Sequence, residues 1–394
     1  MKISKRAQNI TPSATMRISA LAKEMNRRGE RVVSLSMGEP DFPTPENVKS
    51  AGIKAIENNK TKYTVNAGIP ELREAISAKL KRDNNLDFSP DEIIVSNGAK
   101  HSLYNALLSI IDDGDEVLIP APYWVSYPHM VNLAQGKPVI IGSREENGFK
   151  ISVEDLRKTV TEKTTAIIFC NPSNPTGAAY SKEEIEKLAE FFVENDIIVI
   201  ADEIYEKLVF GGFEFISIAS LNEEIKSRTI AINGVSKAYS MTGWRIGYAA
   251  GPKEVISAMS RIQSHSTSNA SSVSQFAALE ALTGPQDDVE KMRVEFEKRR
   301  NYLQNELNGI NGINCNLPEG AFYLFPNVSA YFNDDIKDST EFATYLLEKG
   351  KVATVPGAAF GMEGFIRISY AASMEELEEA VKRIRETLAD LRNN

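Results

Sequence analysis

Thr165-Ala-Ile-Ile-Phe169 and Ile197-Ile-Val-Ile-Ala201 are two short, strongly apolar runs, separated by the loop Asn171-Pro-Ser-Asn-Pro-Thr-Gly177 and a polar stretch that begins at Ser181. Each run is strand-sized and reads as a buried strand. Between them, Ser181 and Glu184 have capping-box spacing, opening a helix that extends to about Asn195. Strand, helix and strand in this order predict a parallel pair joined by a crossover helix. The same alternation spreads outward in both directions. Further strands are predicted at Glu92–Ser96, Glu116–Ile119, Pro138–Ile141, Thr229–Asn233 and Ile246–Ala250, and Glu71–Arg82 has helical spacing behind Pro70. Together these give an α/β chain with a mostly parallel, seven-stranded sheet. Near Gly284-Pro285 the pattern changes. A long charged helix (Val289–Leu307) precedes short strands at Ala321–Leu324, Val352–Val355 and Phe365–Ser369, then a final amphipathic helix (Met374–Leu391), which predicts a smaller α+β domain.

Composition narrows the function classes. The 394 residues are 42% hydrophobic and 25% charged, enough for large cores without disulfide staples. Cys170 and Cys315 stand far apart, and His101, His129 and His265 form no ligand-spaced cluster, so a structural zinc site or a metal hydrolase is not expected. Lys and Arg total 45 against 54 Asp and Glu, a formal charge of −9 that argues against a nucleic-acid partner. The basic start Met1–Arg6 is not followed by an apolar run, and no stretch approaches the ~20 apolar residues of a membrane span. A cytoplasmic protein without membrane contact is the resulting expectation.

In open α/β sheets, ligands bind beyond the carboxyl ends of the strands, and four unusual elements fall there. Gly98, Ala99 and Lys100 follow the first strand and open a helix, whose free N–H groups favour an anion such as phosphate. Asn174 sits in the loop after Phe169, Asp202 and Tyr205 follow Ala201, and Ser236 and Lys237 follow Asn233. Each has an ordinary reading alone: a structural helix start, an asparagine bonding its own turn, a salt bridge, core packing, a solvated lysine. As a set they describe a pyridoxal phosphate site, in which a lysine forms a Schiff base and an acid pairs with the ring nitrogen.

The stretches Ser236-Lys-Ala-Tyr-Ser-Met-Thr-Gly-Trp-Arg245, Asn171–Gly177, Asp202-Glu-Ile-Tyr205, Lys62–Arg73 and Pro122-Tyr-Trp124 also carry a family resemblance. From about Pro12 to the C-terminus the chain resembles the class I/II aminotransferases of fold type I, and most of all their bacterial Ib branch of aspartate aminotransferases. The resemblance implies a three-layer α/β/α large domain at 46–285, a small domain from 13–45 and 286–394, and an N-terminal arm at 1–12. It implies pyridoxal 5'-phosphate as cofactor, with Lys237 as Schiff-base lysine and proton shuttle, Asp202 on the pyridine nitrogen, Tyr205 and Asn174 on the ring oxygen, and Trp124 on the ring face. Gly98, Ala99, Lys100, Ser236 and Arg245 would surround the phosphate, and Tyr63 would reach the phosphate of a neighbouring subunit in a homodimer. Arg367 would fork onto the substrate α-carboxylate, with Gly38, Trp124 and Asn174 also at the substrate. Ser13, Thr15 and Lys100 would meet a distal carboxylate, although Ser13 and Thr15 fit equally as caps of the following helix. Transfer from L-aspartate to 2-oxoglutarate by a ping-pong mechanism is the expected activity. A prephenate or aromatic aminotransferase, or a C–S lyase, is the alternative on this scaffold. One departure stands out: Ser96-Asn97 precede Gly98 where relatives often carry smaller residues, which bears on the shape of the pocket.

Overall fold

The computed structural model describes residues 1–8, 10 and 14–393. Its central sheet has seven strands in the order Ile93–Ser96, Gly247–Ala250, Thr229–Gly234, Ile198–Asp202, Thr164–Cys170, Glu116–Pro120, Lys137–Ile141. Every pair is parallel except those made by Gly247–Ala250, which runs antiparallel to both neighbours. All seven strands expected from the sequence are present. Pro138 is tolerated because Lys137–Ile141 is an edge strand.

The β-branched runs bury both faces. Ile94, Val117, Ile119, Ile168, Ile200 and Ile232 pack with Leu103, Leu107, Met130 and Met259, carried by the helices Ala99–Ile110, Tyr127–Leu133 and Lys253–Ser266. Leu118, Ile167, Phe169 and Val199 point the other way, onto Leu156, Ile185, Leu188 and Phe192 of Val153–Thr159 and Lys182–Glu194. Alternate residues therefore serve opposite layers, as the two-residue period of a strand requires. The predicted capping box is formed: the Ser181 side chain accepts from Glu184 N at 3.3 Å, and Glu184 accepts from Ser181 N at 2.7 Å.

The long helix Asp287–Asn308 and the final helix Met374–Asn393 cover a second core containing Leu35, Phe296, Phe322, Phe342, Ile368 and Ile384. Here one expectation changes. The run Val352–Val355 is two strands rather than one: Val352–Ala353 pairs in parallel with Val33–Ser34, whereas Val355–Pro356 pairs antiparallel with Ile366 and Arg367. The chain changes partners at the buried Thr354, a switch that apolar alternation cannot encode. The first of these pairings draws Val33–Ser34 across to the C-terminal part of the chain. Ser36 and Gly38, which follow, are thereby brought towards the carboxyl edge of the central sheet.

Candidate active site

At that edge lies a cavity of about 410 Å³ lined by Gly38, Ala99, Lys100, Trp124, Asn174, Asp202, Tyr205, Ser236, Lys237, Arg245 and Arg367, among others. Register explains part of this convergence. Cys170 is paired with Asp202, so the loop after one strand and the acid ending the next emerge side by side, and Asn171 N donates to Asp202 O at 3.1 Å.

Lys237 follows the strand Thr229–Gly234, and its Nζ donates to the carbonyl of Gly38. Burial lowers its pKa to about 8, reinforced by the positive charges of Arg367 and Arg245 and opposed by Glu39 and Asp202. A free amine is therefore accessible near neutral pH. Gly38 must be small: a Cβ there would lie 2.6 Å from the Tyr323 hydroxyl.

Asp202 is buried, and burial pushes its pKa up. The Tyr127 hydroxyl donates to its Oδ2 at 2.6 Å and Ile204 N donates to Oδ1 at 3.3 Å, both favouring the charged form. Among the described residues it has no ion-pair partner. Tyr205 shares a 2.8 Å hydrogen bond with Tyr323, and its ring meets those of Phe322 and Tyr323 edge-on.

Arg367, on the strand Ile366–Ser369, is 2% exposed. It donates from Nη1 to Asn174 Oδ1 at 3.0 Å and from Nη2 to Ser36 O at 2.7 Å, with its guanidinium 4.4 Å from the Tyr323 ring centre and 5.1 Å from that of Phe360. Its Nε is buried with no partner. A buried, unpaired N–H of this kind calls for an anionic acceptor.

Gly98 caps the helix Ala99–Ile110 with φ +87°, and a Cβ there would run into the Arg245 guanidinium. Gly247 is needed as well, since a Cβ on it would strike Ala99 N. The first turn of the helix, Ser236 and Arg245 thus form a cradle of N–H, hydroxyl and guanidinium groups suited to a phosphate. Lys100 Nζ lies 4.6 Å from the Trp124 ring centre at the cavity wall. A phosphate cradle, an amine of lowered pKa, a carboxylate without an ion-pair partner and an unpaired arginine N–H match the polar groups of pyridoxal 5'-phosphate and of a carboxylate substrate.

Most of the residues singled out from the sequence are thus brought together, with Gly98 bordering the cavity at Arg245. Tyr63 is not: it is 92% exposed and away from this cavity. Ser13 lies outside the described residues. Thr15 falls on the helix Ala14–Arg27, but its side chain is likewise outside the description. The side chains of Ser96 and Asn97 do not line the cavity, Ser96 Oγ donating to Gln263 Oε1 at 2.8 Å and Asn97 Nδ2 to Thr267 Oγ1 at 3.2 Å, while the Asn97 carbonyl accepts from Arg245 Nη2 at 3.2 Å. Tyr127, Tyr323 and Gly247 were not anticipated. Tyr127 stands three residues after Trp124, which was the one available signal. Tyr323 is 118 positions from its partner Tyr205 and had none.

Comparison with known proteins shows the family to which the chain is similar. The profile of the family described as Aminotransferase class I and II matches residues 30–384. An aspartate aminotransferase of Bacillus subtilis is 50% identical over 386 residues, covering 98% of this chain and 98% of its own. A protein of Aquifex aeolicus named "Probable aspartate/prephenate aminotransferase" is 47% identical over 99% of each chain. The crystal structure of the aspartate aminotransferase from Rhizobium meliloti superposes with a TM-score of 0.96 at 45% identity, covering 99% of both chains.

Proposed function

The chain belongs to the class I and II aminotransferases, which use pyridoxal 5'-phosphate, and on that premise we propose that it moves the amino group of L-aspartate to 2-oxoglutarate, giving oxaloacetate and L-glutamate. The observation that carries this reading is Arg367, buried and unpaired at Nε in the same cavity as Lys237, with Lys100 as a further cation on the wall. Aspartate has two carboxylates to satisfy. Arg367 takes the α-carboxylate, and Lys100, with Ser13 and Thr15, takes the distal one.

When bound, the cofactor supplies the carbonyl carbon that takes up the amino group and a ring that draws electrons from the substrate Cα. Gly98, Ala99, Lys100, Ser236 and Arg245 would hold its phosphate, Trp124 would cover the ring, Tyr205 and Asn174 would hold the ring oxygen, and Asp202 would keep a proton on the ring nitrogen. Lys237 Nζ, as a free amine beside the substrate, would take the proton from the substrate Cα and shuttle it within the cavity. Its lowered pKa suits this task, because the amine is only partly protonated near pH 8. Arg367 and Gly38 hold the substrate so that the Cα proton faces Lys237. The second oxo acid uses the same residues in the reverse order, which gives ping-pong kinetics.

A profile of amino donors with 2-oxoglutarate as acceptor tests the reading. Glutamate should form fastest with aspartate as donor, with oxaloacetate as the other product. The proposal falls if no oxaloacetate appears while an aromatic donor turns over, or if cystathionine yields pyruvate and ammonia without an acceptor. Prephenate is a second acceptor to assay, since it too has two carboxylates and a relative's name includes it.

The large domain is assigned to 46–285, the small domain to 13–45 and 286–394, and the arm to 1–12, supported by the pairing of Val33–Ser34 with Val352–Ala353. Tyr63, Val65, Ile53 and Ile56 are exposed, a surface that a second copy would cover, placing Tyr63 in the neighbouring site of a homodimer. Among the described residues no helix is long and apolar enough to cross a membrane. A cytoplasmic place in amino-acid biosynthesis accompanies this reading.

A further inference from the structure

Lys79 and Glu206 form an ion pair in the interior, their side chains 1% and 7% exposed. Asn84 closes the group: Lys79 Nζ donates to Asn84 Oδ1 at 2.7 Å, and Asn84 Nδ2 donates to Glu206 Oε2 at 2.6 Å. Both carboxylate oxygens of Glu206 are therefore engaged. Lys79 and Asn84 come from the helix Pro70–Asn84, whereas Glu206 directly follows Tyr205.

The segment carrying Tyr205 needs such an anchor. The strand ends at Asp202, and Glu203 N makes a last bond to Ile232 O at 2.9 Å. The next backbone bonds are internal to the turn, Glu206 N to Glu203 O at 3.0 Å and Leu208 N to Tyr205 O at 2.8 Å. Asp202 and Tyr205 line the cavity, while the side chains of Glu203 and Glu206 are held elsewhere in the interior, Glu203 accepting from Ser217 Oγ at 2.6 Å. A buried ion pair seldom stabilises a fold more than apolar side chains of the same size would. What it adds is direction, since hydrogen bonds fix orientation where apolar contacts permit sliding.

We propose that the Lys79–Asn84–Glu206 group is a positioning device for the reaction, holding the turn 203–206 so that the Tyr205 hydroxyl and the Asp202 carboxylate keep their places in the cavity. This rests on the reading that these two residues touch the cofactor.

The test uses the holoenzyme and two readouts: the pH titration of the bound cofactor's visible absorbance, and kcat and KM measured separately. The double substitution Lys79→Met with Glu206→Leu removes both charges together. Its melting temperature should fall only by what the unpartnered Asn84 side chain costs, its spectral pKa should move in the direction seen for Tyr205→Phe, and kcat should fall about tenfold with little change in KM. Asn84→Ala leaves the ion pair in place, frees Glu206 Oε2 and should shift the spectral pKa the same way to a smaller extent. It serves if the double variant does not fold. The proposal is overturned if folded variants keep the wild-type spectral pKa and kcat although Tyr205→Phe shifts both. If Tyr205→Phe itself leaves the spectrum unmoved, the assignment of Tyr205 to the cofactor fails, and the proposal with it.

Discussion

Replacing Tyr127 by Phe tests how Asp202 is kept charged. The substitution removes one oxygen atom from the cavity wall and leaves Asp202 Oδ2 without its 2.6 Å donor, so that the Ile204 amide, at 3.3 Å, and the positive charge of Lys237 remain to support the carboxylate. A hydrogen bond to a charged group contributes about 1.5–3 kcal/mol. At about 1.4 kcal/mol per factor of ten, the charged form loses roughly ten- to a hundredfold against the neutral acid. Burial already raises the Asp202 pKa, and losing the donor acts in the same direction. Tyr127 does not compete for the negative charge, because burial and the neighbouring Asp202 keep its own pKa well above the usual phenol range. The sign follows from the need for an ionised Asp202: a raised pKa means that activity is lost at a higher pH as the solution is acidified. The acid limb of kcat should move to higher pH in the variant, with the deficit narrowing as pH rises. Measuring kcat against pH with aspartate and 2-oxoglutarate, for wild type and variant of equal melting temperature, decides the matter. Superimposable profiles would refute the role given to Tyr127.

Three further outcomes are expected. Arg367→Lys cannot keep the bonds to Ser36 O and Asn174 Oδ1 and also offer a fork, so KM for both substrates should rise by about 30-fold or more; an unchanged KM would contradict the carboxylate assignment. Recombination of the apoenzyme with pyridoxal 5'-phosphate requires neutral Lys237, whose pKa is lowered to about 8. Its rate, followed by visible absorbance, should climb as pH rises through 8 and then level, and a flat profile would count against a buried amine. Gly247→Ala forces a methyl group against the Ala99 amide, and should cost about 1–3 kcal/mol in thermal unfolding and weaken cofactor binding; wild-type values for both would show that the backbones do not need this close approach.

Much of the site was legible because its residues sit at strand ends, where sequence order and sheet topology are tightly linked. Asp202 ends an apolar run, Lys237 follows another, and Gly98 precedes a helix, so chemistry and placement could be read together. The residues that were missed act across long separations. Tyr323 meets Tyr205 and Arg367 from 118 and 44 positions away in the chain, and Lys79 reaches Glu206 from a helix whose sequence reads as ordinarily amphipathic. Nothing local distinguishes such a lysine from a solvated one.

The sequence by itself determined the alternation of strands and helices, the capped helix after Ser181 and the character of the groups at the sheet edge, because periodicity and capping are properties of neighbouring residues. Tertiary structure alone decided the antiparallel placing of Gly247–Ala250, the change of partners at Thr354, and the pairing that brings Ser36 and Gly38 to Arg367 and Lys237. The protonation states were decided there as well. Whether an amine or a carboxylate is charged depends on the water it has lost and the charges that surround it, and those are set only when distant segments close around it.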